Sequence, residues 1–355
     1  MTLADLGYNV DLKNHRIEQG LDSFGVGRII TEHKEKYIVK TDINEFEAEV
    51  IGNLRFAAKN RSDFPAVGDW VAISEYDKNK ALIHAIFPRK TIIARQAVGH
   101  FGEKQIIATN IDFALIVQAV DRDFNINRTE RYLTICNASN VDPIIILSKI
   151  DLINNLQLKA IQDNITKRIE LVPIVAISNE TEIGYDRLNE IFVKGNTYCL
   201  LGSSGVGKST LLNNISGKAL MKTDSISSST KKGRHITSHR ELVILENGGI
   251  LIDNPGMREV GIADTASGLE ITFNTIVNLS QNCKFKDCTH IHENGCAILD
   301  AVEKGEIDKD SYQNYLKMER EKTHFESTVT EKRKKDKDFG KMIKSYKKDK
   351  KLNKY

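Results

Sequence analysis

The sequence is poor in the features that mark secreted and membrane proteins. Its apolar runs fall short of the ~20 residues that a membrane-spanning helix needs. Residues 1–20 hold scattered acidic and basic side chains without an apolar centre, so a signal peptide is not predicted. The five cysteines are an odd number, and three of them cluster with a histidine, which in a reducing cytoplasm suggests a metal site and not disulfides. We therefore expect a cytoplasmic protein with no membrane partner.

Charge is unevenly distributed along the 355 residues. Hydrophobic residues make up 40% and charged residues 28%, which is typical of a globular protein, and the length predicts two or three domains. Residues 331–355 contain 12 Lys/Arg and 4 Asp/Glu, whereas the rest of the chain has slightly more acidic than basic residues. Such a tail either binds a polyanion or is a solvated, disordered end, and the sequence leaves both open.

The most specific motif is a glycine-rich segment at 202–210 that fits G-x-x-x-x-G-K-[ST] without a mismatch. This pattern is that of a phosphate-binding loop, or P-loop. A strand-like apolar segment, 197–201, precedes it, and apolar residues at helical spacing, 211–215, follow it. The glycines allow backbone N–H groups to surround phosphate oxygens, and the helix N-terminus adds to that field. Lys208 would reach the β- and γ-phosphates, and the Ser209 hydroxyl would bind Mg²⁺. The predicted phosphate-binding residues are Gly202, Ser203, Ser204, Gly205, Val206, Gly207, Lys208, Ser209 and Thr210.

A second motif predicts which base is bound. From residue 106 onward, apolar strands alternate with helical segments, which indicates a doubly wound α/β domain. The segment Ser148, Lys149, Ile150 and Asp151 follows the buried strand at 142–147 and is similar to the [NT]-K-x-D segment of GTPases. In that segment the Asp accepts hydrogen bonds from guanine N1 and N2, a donor pair that adenine lacks. The sequence therefore predicts a guanine nucleotide.

A third motif ends the hairpin predicted at 241–252. It reads Asp253-Asn254-Pro255-Gly256, which fits the GTPase switch that holds an Mg²⁺-bound water and senses the γ-phosphate. A plain turn would not require the Asp. In ordinary GTPases the base-selecting segment lies downstream of the P-loop, but here residue 148 lies 54 residues before residue 202. The order predicts a circularly permuted P-loop G domain, in which the switch ending at Gly256 leads directly into the next domain.

The regions on either side of this domain have different patterns. Five short strands between residues 25 and 86 predict a closed N-terminal barrel of the OB or SH3 type, followed by a turn-rich stretch at 87–103. Such barrels often bind oligonucleotides, although each basic residue could equally be a plain surface charge. The basic residues available for phosphate contacts are Arg28, Lys36, Lys40, Arg55, Lys59 and Arg61.

The C-terminal region contains three of the five cysteines in a Cys-x4-Cys-x-His-x5-Cys pattern. Three thiolates and one imidazole form a tetrahedral ligand set for a structural Zn²⁺ ion, one per chain, with His292 as a competing ligand. Helices are predicted at 297–304 and 311–321. The other two cysteines stand in apolar segments and are expected to be buried and inert. The predicted zinc ligands are Cys283, Cys288, His290 and Cys296.

The predicted organisation has four parts. An OB-fold barrel that binds RNA spans 1–103, and the permuted GTPase domain spans 104–265. An α-helical zinc-binding domain spans 266–330, and the basic tail spans 331–355.

Together these features resemble the ribosome-small-subunit-dependent GTPase A family, also called RsgA, YjeQ or YloQ. The resemblance covers residues 20–320 and rests on the permuted order, the Gly-x-His-x-Thr segment at 233–237, the Asp-x-Pro-Gly segment and the Cys/His spacing. It implies a GTPase that is stimulated by the small ribosomal subunit, acts late in the maturation of that subunit and contacts its rRNA through an OB-fold. A monomer is expected.

The resemblance also implies roles for single residues. His235 matches the position that assists the attacking water, and Thr237 matches the switch threonine that binds Mg²⁺. Two positions depart from the family pattern. Ser148 stands where Asn is usual, a change expected to weaken the anchoring of the loop that binds the base. Ile236 stands where Thr is common.

The predicted reaction is hydrolysis of GTP by positioning and charge neutralisation. Lys208 and the loop amides hold the phosphates, and Asp253 holds an Mg²⁺-bound water. Because no activating residue is fixed in place, slow intrinsic turnover is expected, with stimulation by contact with RNA or the ribosome. Two alternatives remain open, namely a P-loop ATPase or kinase, and an RNA-binding scaffold in which the nucleotide is structural.

Overall fold

The computed structural model describes residues 1–33, 36–96, 104–121, 124–217, 241–253 and 266–326, together with the single positions 331, 334, 337 and 339. A 3-10 turn at Ala4–Leu6 and helix α1 (Val10–Glu18) open the chain. Within the described ranges, no helix combines the length and the apolarity that crossing a membrane requires.

The five predicted N-terminal strands are present and form a closed barrel. The sheet order β1-β2-β3-β5-β4 closes through a β1–β4 pairing, and β3 and β5 run parallel, which is an OB-like arrangement. Burial alternates along β2 and β3, and the inward residues of the five strands surround a core with Val39, Phe46 and Ile83. Helix α2 (Gly52–Ala57) lies between β3 and β4 and was not predicted. The strands are β1 (Gly25–His33), β2 (Lys36–Lys40), β3 (Glu45–Val50), β4 (Trp70–Asp77) and β5 (Lys80–Ile86).

The stretch at 87–103 was predicted as turns, and this prediction is wrong in part. Strand β6 (Ile92–Gln96) pairs with β7 (Lys104–Thr109) in an antiparallel hairpin. Ile93 and Ile107 are buried in the core of the following α/β domain, so tertiary packing stabilises a strand that the local pattern did not reveal. The predicted domain boundary at 103/104 lies in the connection of this hairpin and stays a prediction.

The central domain is the predicted α/β sheet with helices on both faces. Parallel strands β10-β9-β8-β11-β13 form its body, and β12 pairs antiparallel with β13. Helices α3 and α4 cover one face and α5 and α6 the other, each over its own apolar cluster. The elements are β8 (Phe113–Ala119), α3 (Ile126–Ala138), β9 (Asp142–Ser148), α4 (Asn155–Arg168), β10 (Ile174–Ala176), α5 (Tyr185–Ile191), β11 (Thr197–Leu201), α6 (Lys208–Ser216), β12 (Glu241–Ile244) and β13 (Ile250–Asp253).

The barrel and the α/β domain share one hydrogen-bonded sheet. Strand β1 of the barrel pairs with β12 through Thr31 and Glu241, which makes a sheet of 11 strands. At the same junction Arg28 is only 1% exposed, and its guanidinium donates to backbone carbonyls of Leu6 (2.7 Å), Gly68 (3.1 Å) and Asn110 (3.0 Å). The prediction that Arg28 is available to RNA phosphates is therefore wrong, because its donors hold three distant segments together.

The C-terminal region is helical, as predicted, but has two more helices than expected. Its elements are α7 (Ala266–Thr272), α8 (Asn274–Ser280), α9 (Ala297–Glu303) and α10 (Lys309–Glu326), packed around a core with Phe273, Ile298 and Met318. Helix α7 lies directly against α3. A Cβ on Gly268 would come within 2.1 Å of the Thr134 carbonyl oxygen, so only glycine permits this approach.

Candidate nucleotide site and metal centre

The P-loop forms the predicted turn between β11 and α6. Gly202 has a φ of +146°, and a Cβ there would lie 2.4 Å from the Val117 carbonyl oxygen on the neighbouring strand β8. Gly207, with a φ of +92°, leads into α6, whose first turn contains Lys208, Ser209 and Thr210. The Lys208 ammonium donates to the carbonyls of Gly202 (2.7 Å) and Ser203 (2.5 Å). The loop thus wraps around the Lys208 ammonium, which occupies the centre of the loop.

The base-selecting segment lies against this loop. Ser148, the last residue of β9, is fully buried, and its hydroxyl donates to the Val206 carbonyl over 2.6 Å. Two segments 58 residues apart in sequence are therefore joined by one short hydrogen bond. Lys149 follows with a φ of +62° and pairs with Asp121 at 2.8 Å.

Asp151 lies in a 3-10 turn, Ile150–Leu152, on the exposed side of this segment. One of its carboxylate oxygens accepts from the Ser178 hydroxyl at 2.6 Å, which orients the side chain. The adjacent Asn179 donates to the Gly207 carbonyl at 3.0 Å. The base-side residues and the P-loop therefore lie at one edge of the sheet.

Asn179 links the P-loop to two helices, a role that the sequence did not predict. Besides its contact with the P-loop, its carbonyl accepts from Asn214 (3.0 Å) and its amide oxygen accepts from the Tyr185 hydroxyl (2.9 Å). Its position directly after the third strand did not indicate these partners on α5 and α6 before the fold was known.

We expect Ser148→Ala to weaken GTP binding about 10-fold, because the buried Val206 carbonyl loses its partner at a cost of about 1–1.5 kcal/mol. Fluorescence titration with a labelled GTP analogue measures this. Ser280→Ala is the matched control, since Ser280 also donates to a backbone carbonyl at 2.6 Å but lies on α8. Equal affinity of Ser148→Ala and wild-type protein would show that this bond does not shape the site.

Asp253 lies at the same sheet edge. Strand β13 is parallel to β11 with Cys199 opposite Ile252, so its last residue, Asp253, lies at the end of the sheet where the P-loop begins. The remaining predicted residues, His235, Thr237 and Gly256, lie outside the described residues, and their roles stay predictions.

The four predicted metal ligands come together. The ligand atoms of Cys283, Cys288, His290 and Cys296 all lie within 4.8 Å of one another. The Sγ atoms of Cys283 and Cys296 are 3.9 Å apart, and they lie 3.6 Å and 3.5 Å from Nδ1 of His290. A tetrahedral zinc site implies S···S separations of about 3.8 Å and S···N separations of about 3.5 Å. The donor set therefore fits a tetrahedral metal ion.

The loop that carries these ligands is fixed by Glu293. Its carboxylate accepts from the Thr289 hydroxyl and from the backbone N–H groups of Thr289 (2.8 Å), Ile291 (3.0 Å) and His292 (3.1 Å). The Thr289 hydroxyl and these amides hold the pKa of Glu293 well below its usual range. His292 itself is exposed and lies outside the ligand cluster, so His290 is the histidine that the fold selects.

The two remaining cysteines are buried, as predicted. Burial raises the pKa of Cys199 to about 12 and that of Cys136 well above its usual value. Both side chains are thiols at neutral pH and act as small apolar groups.

Comparison with known proteins identifies the family. The model of the RsgA GTPase family matches residues 86–263, and a model described as 50S ribosome-binding GTPase matches residues 197–335. The second match begins at β11, the strand before the P-loop, which is where an unpermuted G domain would start. This agrees with the permuted motif order.

Relatives match over most of the chain. The small ribosomal subunit biogenesis GTPase RsgA 1 of Bacteroides thetaiotaomicron is 39% identical over 91% of this chain and 90% of its own length. RsgA 2 of Lactiplantibacillus plantarum, which has the same description, is 43% identical over 84% of each chain.

Solved structures show the same fold. YjeQ from Thermotoga maritima aligns with a TM-score of 0.60 and 23% identity, covering 83% of this chain and 96% of its own. YloQ, described as a circularly permuted GTPase, aligns with a TM-score of 0.61 and 24% identity, covering 87% and 98%. The fold is therefore that of a circularly permuted GTPase, and the resemblance seen in the motifs is confirmed. This chain belongs to the RsgA GTPase family.

Proposed function

We propose that this protein binds and hydrolyses GTP at the edge of the sheet where β9, β10 and β11 end, and that it assists late maturation of the small ribosomal subunit. The observation that carries the proposal is the 2.6 Å hydrogen bond from Ser148 to Val206. It places a segment suited to guanine beside a segment suited to phosphates. Such an arrangement fits one nucleotide that spans both segments.

Each residue of the site has a proposed task. The Asp151 carboxylate accepts hydrogen bonds from guanine N1 and N2. The Lys208 ammonium leaves the carbonyls of the P-loop and contacts the β- and γ-phosphates. Ser209 and Thr237 would hold Mg²⁺, which neutralises phosphate charge when bound, and Asp253 would hold a water of that ion. The Gly256 amide senses the γ-phosphate, and His235 orients the attacking water.

The proposed partner is the small subunit with its rRNA, which accords with the names of the relatives. On the barrel, Arg55, Lys59 and Arg61 are exposed around α2, beside Phe56, which is 95% exposed. Cations next to an exposed ring suit RNA, because phosphates pair with the charges and bases stack on the ring. We assign this surface to rRNA.

Further parts of the proposal concern assembly and metal. We propose that the ion in the Cys₃His cluster is Zn²⁺, because three thiolates and one imidazole prefer it. We also propose that the protein works as a cytoplasmic monomer and that the four predicted domain ranges are its functional units.

The test is GTP turnover with purified small subunits, large subunits or neither. We expect small subunits to raise the rate at least about 10-fold, equivalent to about 1.4 kcal/mol of barrier, and large subunits to have little effect. Lys208→Ala serves as the inactive control. An unchanged rate with small subunits contradicts the proposal.

The same assay separates the alternatives. Faster turnover of ATP than of GTP would favour an ATPase or kinase. Retained small-subunit binding and biological activity in Lys208→Ala would favour a scaffold with a structural nucleotide.

A further inference from the structure

A side chain outside every nucleotide motif holds the first half of the P-loop. Arg128, in the first turn of α3, donates from Nη1 to the Ser203 hydroxyl over 2.7 Å. The two residues are 75 positions apart in sequence. Arg128 and Ser203 are both partly buried, so this hydrogen bond is partly shielded from water.

The P-loop needs such anchors because it is rich in glycine. Gly202, Gly205 and Gly207 all have positive φ values, and glycine loses more conformational freedom on ordering than other residues. The second half of the loop is held by two hydrogen bonds from outside it. Ser148 donates to the Val206 carbonyl, and Asn179 donates to the Gly207 carbonyl. The loop therefore depends on hydrogen bonds from neighbouring elements to keep its shape.

The first half of the loop has a contact that GTP would remove. Lys208 donates to the carbonyls of Gly202 and Ser203, but it has to turn toward the phosphates when a nucleotide binds. The Arg128–Ser203 bond does not involve Lys208. It can persist in the bound form and hold the loop after the lysine has moved.

Arg128 is itself held on a rigid support. The next residues of α3 contact the C-terminal helices: Arg131 pairs with Glu321 at 2.8 Å, and the buried Glu130 carboxylate accepts from Asn314 at 2.6 Å. Helix α7 packs on the far turn of α3 through Gly268. Because α3 is held on several sides, Arg128 can keep Ser203 in a fixed position. A hydrogen-bond donor on a mobile loop could not do so.

We propose that Arg128 is a positioning residue for GTP binding, which acts by holding Ser203 and thereby the first half of the P-loop. This inference rests on the proposed function of the loop. Because the contact orders the glycine-rich loop before GTP binds, its loss adds the cost of ordering the loop to GTP binding and raises the dissociation constant. Because the contact is the same in the bound ground state and in the transition state, kcat stays nearly unchanged.

The test is a double-mutant cycle on labelled GTP analogue affinity, with kcat measured at saturating GTP. We expect Arg128→Ala and Ser203→Ala each to weaken binding about 10-fold, and the double variant to be about as weak as either single one. Arg128→Lys should stay within about 3-fold of wild type, because a single nitrogen makes the bond. Arg187→Ala, which removes an exposed arginine from α5 and leaves the support of α3 intact, is the charge-matched control and should bind normally.

Two results overturn the inference: wild-type affinity in Arg128→Ala, or independent, additive losses in the double variant. If Arg128→Ala does not fold, the affinities of Arg128→Lys and Ser203→Ala decide, since both substitutions are small. A Ser203→Ala variant that binds GTP like wild type then overturns it as well. Failure of wild-type protein to bind GTP would instead refute the proposed function, so the two failures are distinguishable.

Discussion

Asp151→Asn is expected to weaken GTP binding by about 100- to 1000-fold and to make xanthosine triphosphate the preferred ligand. The carboxylate accepts two hydrogen bonds from guanine N1 and N2, and charge-assisted bonds of this kind contribute about 1.5–3 kcal/mol each. An Asn amide cannot accept both, but it can donate to the C2 carbonyl of xanthine. The Asn oxygen can still accept from Ser178, which lies 2.6 Å from the Asp151 carboxylate, so the change stays local.

Competition titrations with GTP, xanthosine triphosphate and ATP measure this preference. Asp142→Asn is the matched control, because Asp142 is an exposed residue at the opposite end of the strand that carries Ser148. It should leave all three affinities unchanged. Unaltered GTP selectivity in Asp151→Asn would mean that the base is recognised elsewhere, and tight ATP binding would favour the kinase alternative.

Loss of the metal is expected to unfold the C-terminal domain. The domain has about 60 residues, a size at which one apolar core is marginal. Cys296 belongs to that core, and the partly buried Cys283 and Cys288 pack against it. Structural zinc contributes about 10–16 kcal/mol in zinc-finger peptides, far more than such a core can replace. Cys288→Ser should therefore lose one zinc per chain together with the protease resistance of α7–α10.

Metal content by mass spectrometry and limited proteolysis give the two readouts. His292→Asn is the control, since the exposed His292 lies outside the ligand cluster, and it should retain both zinc and resistance. A Cys288→Ser variant that keeps its zinc, or a His292→Asn variant that loses it, would contradict the assignment of ligands.

The sequence could predict those parts of the fold that depend on contiguous residues. The P-loop, Asp151 and the Cys/His cluster each depend on fixed local spacings, and the strands of the barrel follow from alternation within a few residues. The permuted order needed only the relative positions of two motifs. These features were therefore readable before the fold was known.

The features that were missed depend on contacts distant in sequence. Arg28 resembles any other basic barrel residue until Leu6 and Asn110 surround its guanidinium. Strand β6 is stabilised by burial of Ile93 in the neighbouring domain. The hydrogen bonds of Arg128 and Asn179 to the P-loop could not be inferred locally, because their acceptors lie 75 and 28 residues away in sequence.

The most direct test of this account is a crystal structure with Mg²⁺ and a non-hydrolysable GTP analogue. The account predicts one nucleotide whose guanine N1 and N2 lie within about 3 Å of the Asp151 carboxylate. It also predicts that the Lys208 ammonium contacts the β- and γ-phosphates of that same molecule. A nucleotide bound at the P-loop with its base turned away from Asp151 would contradict it.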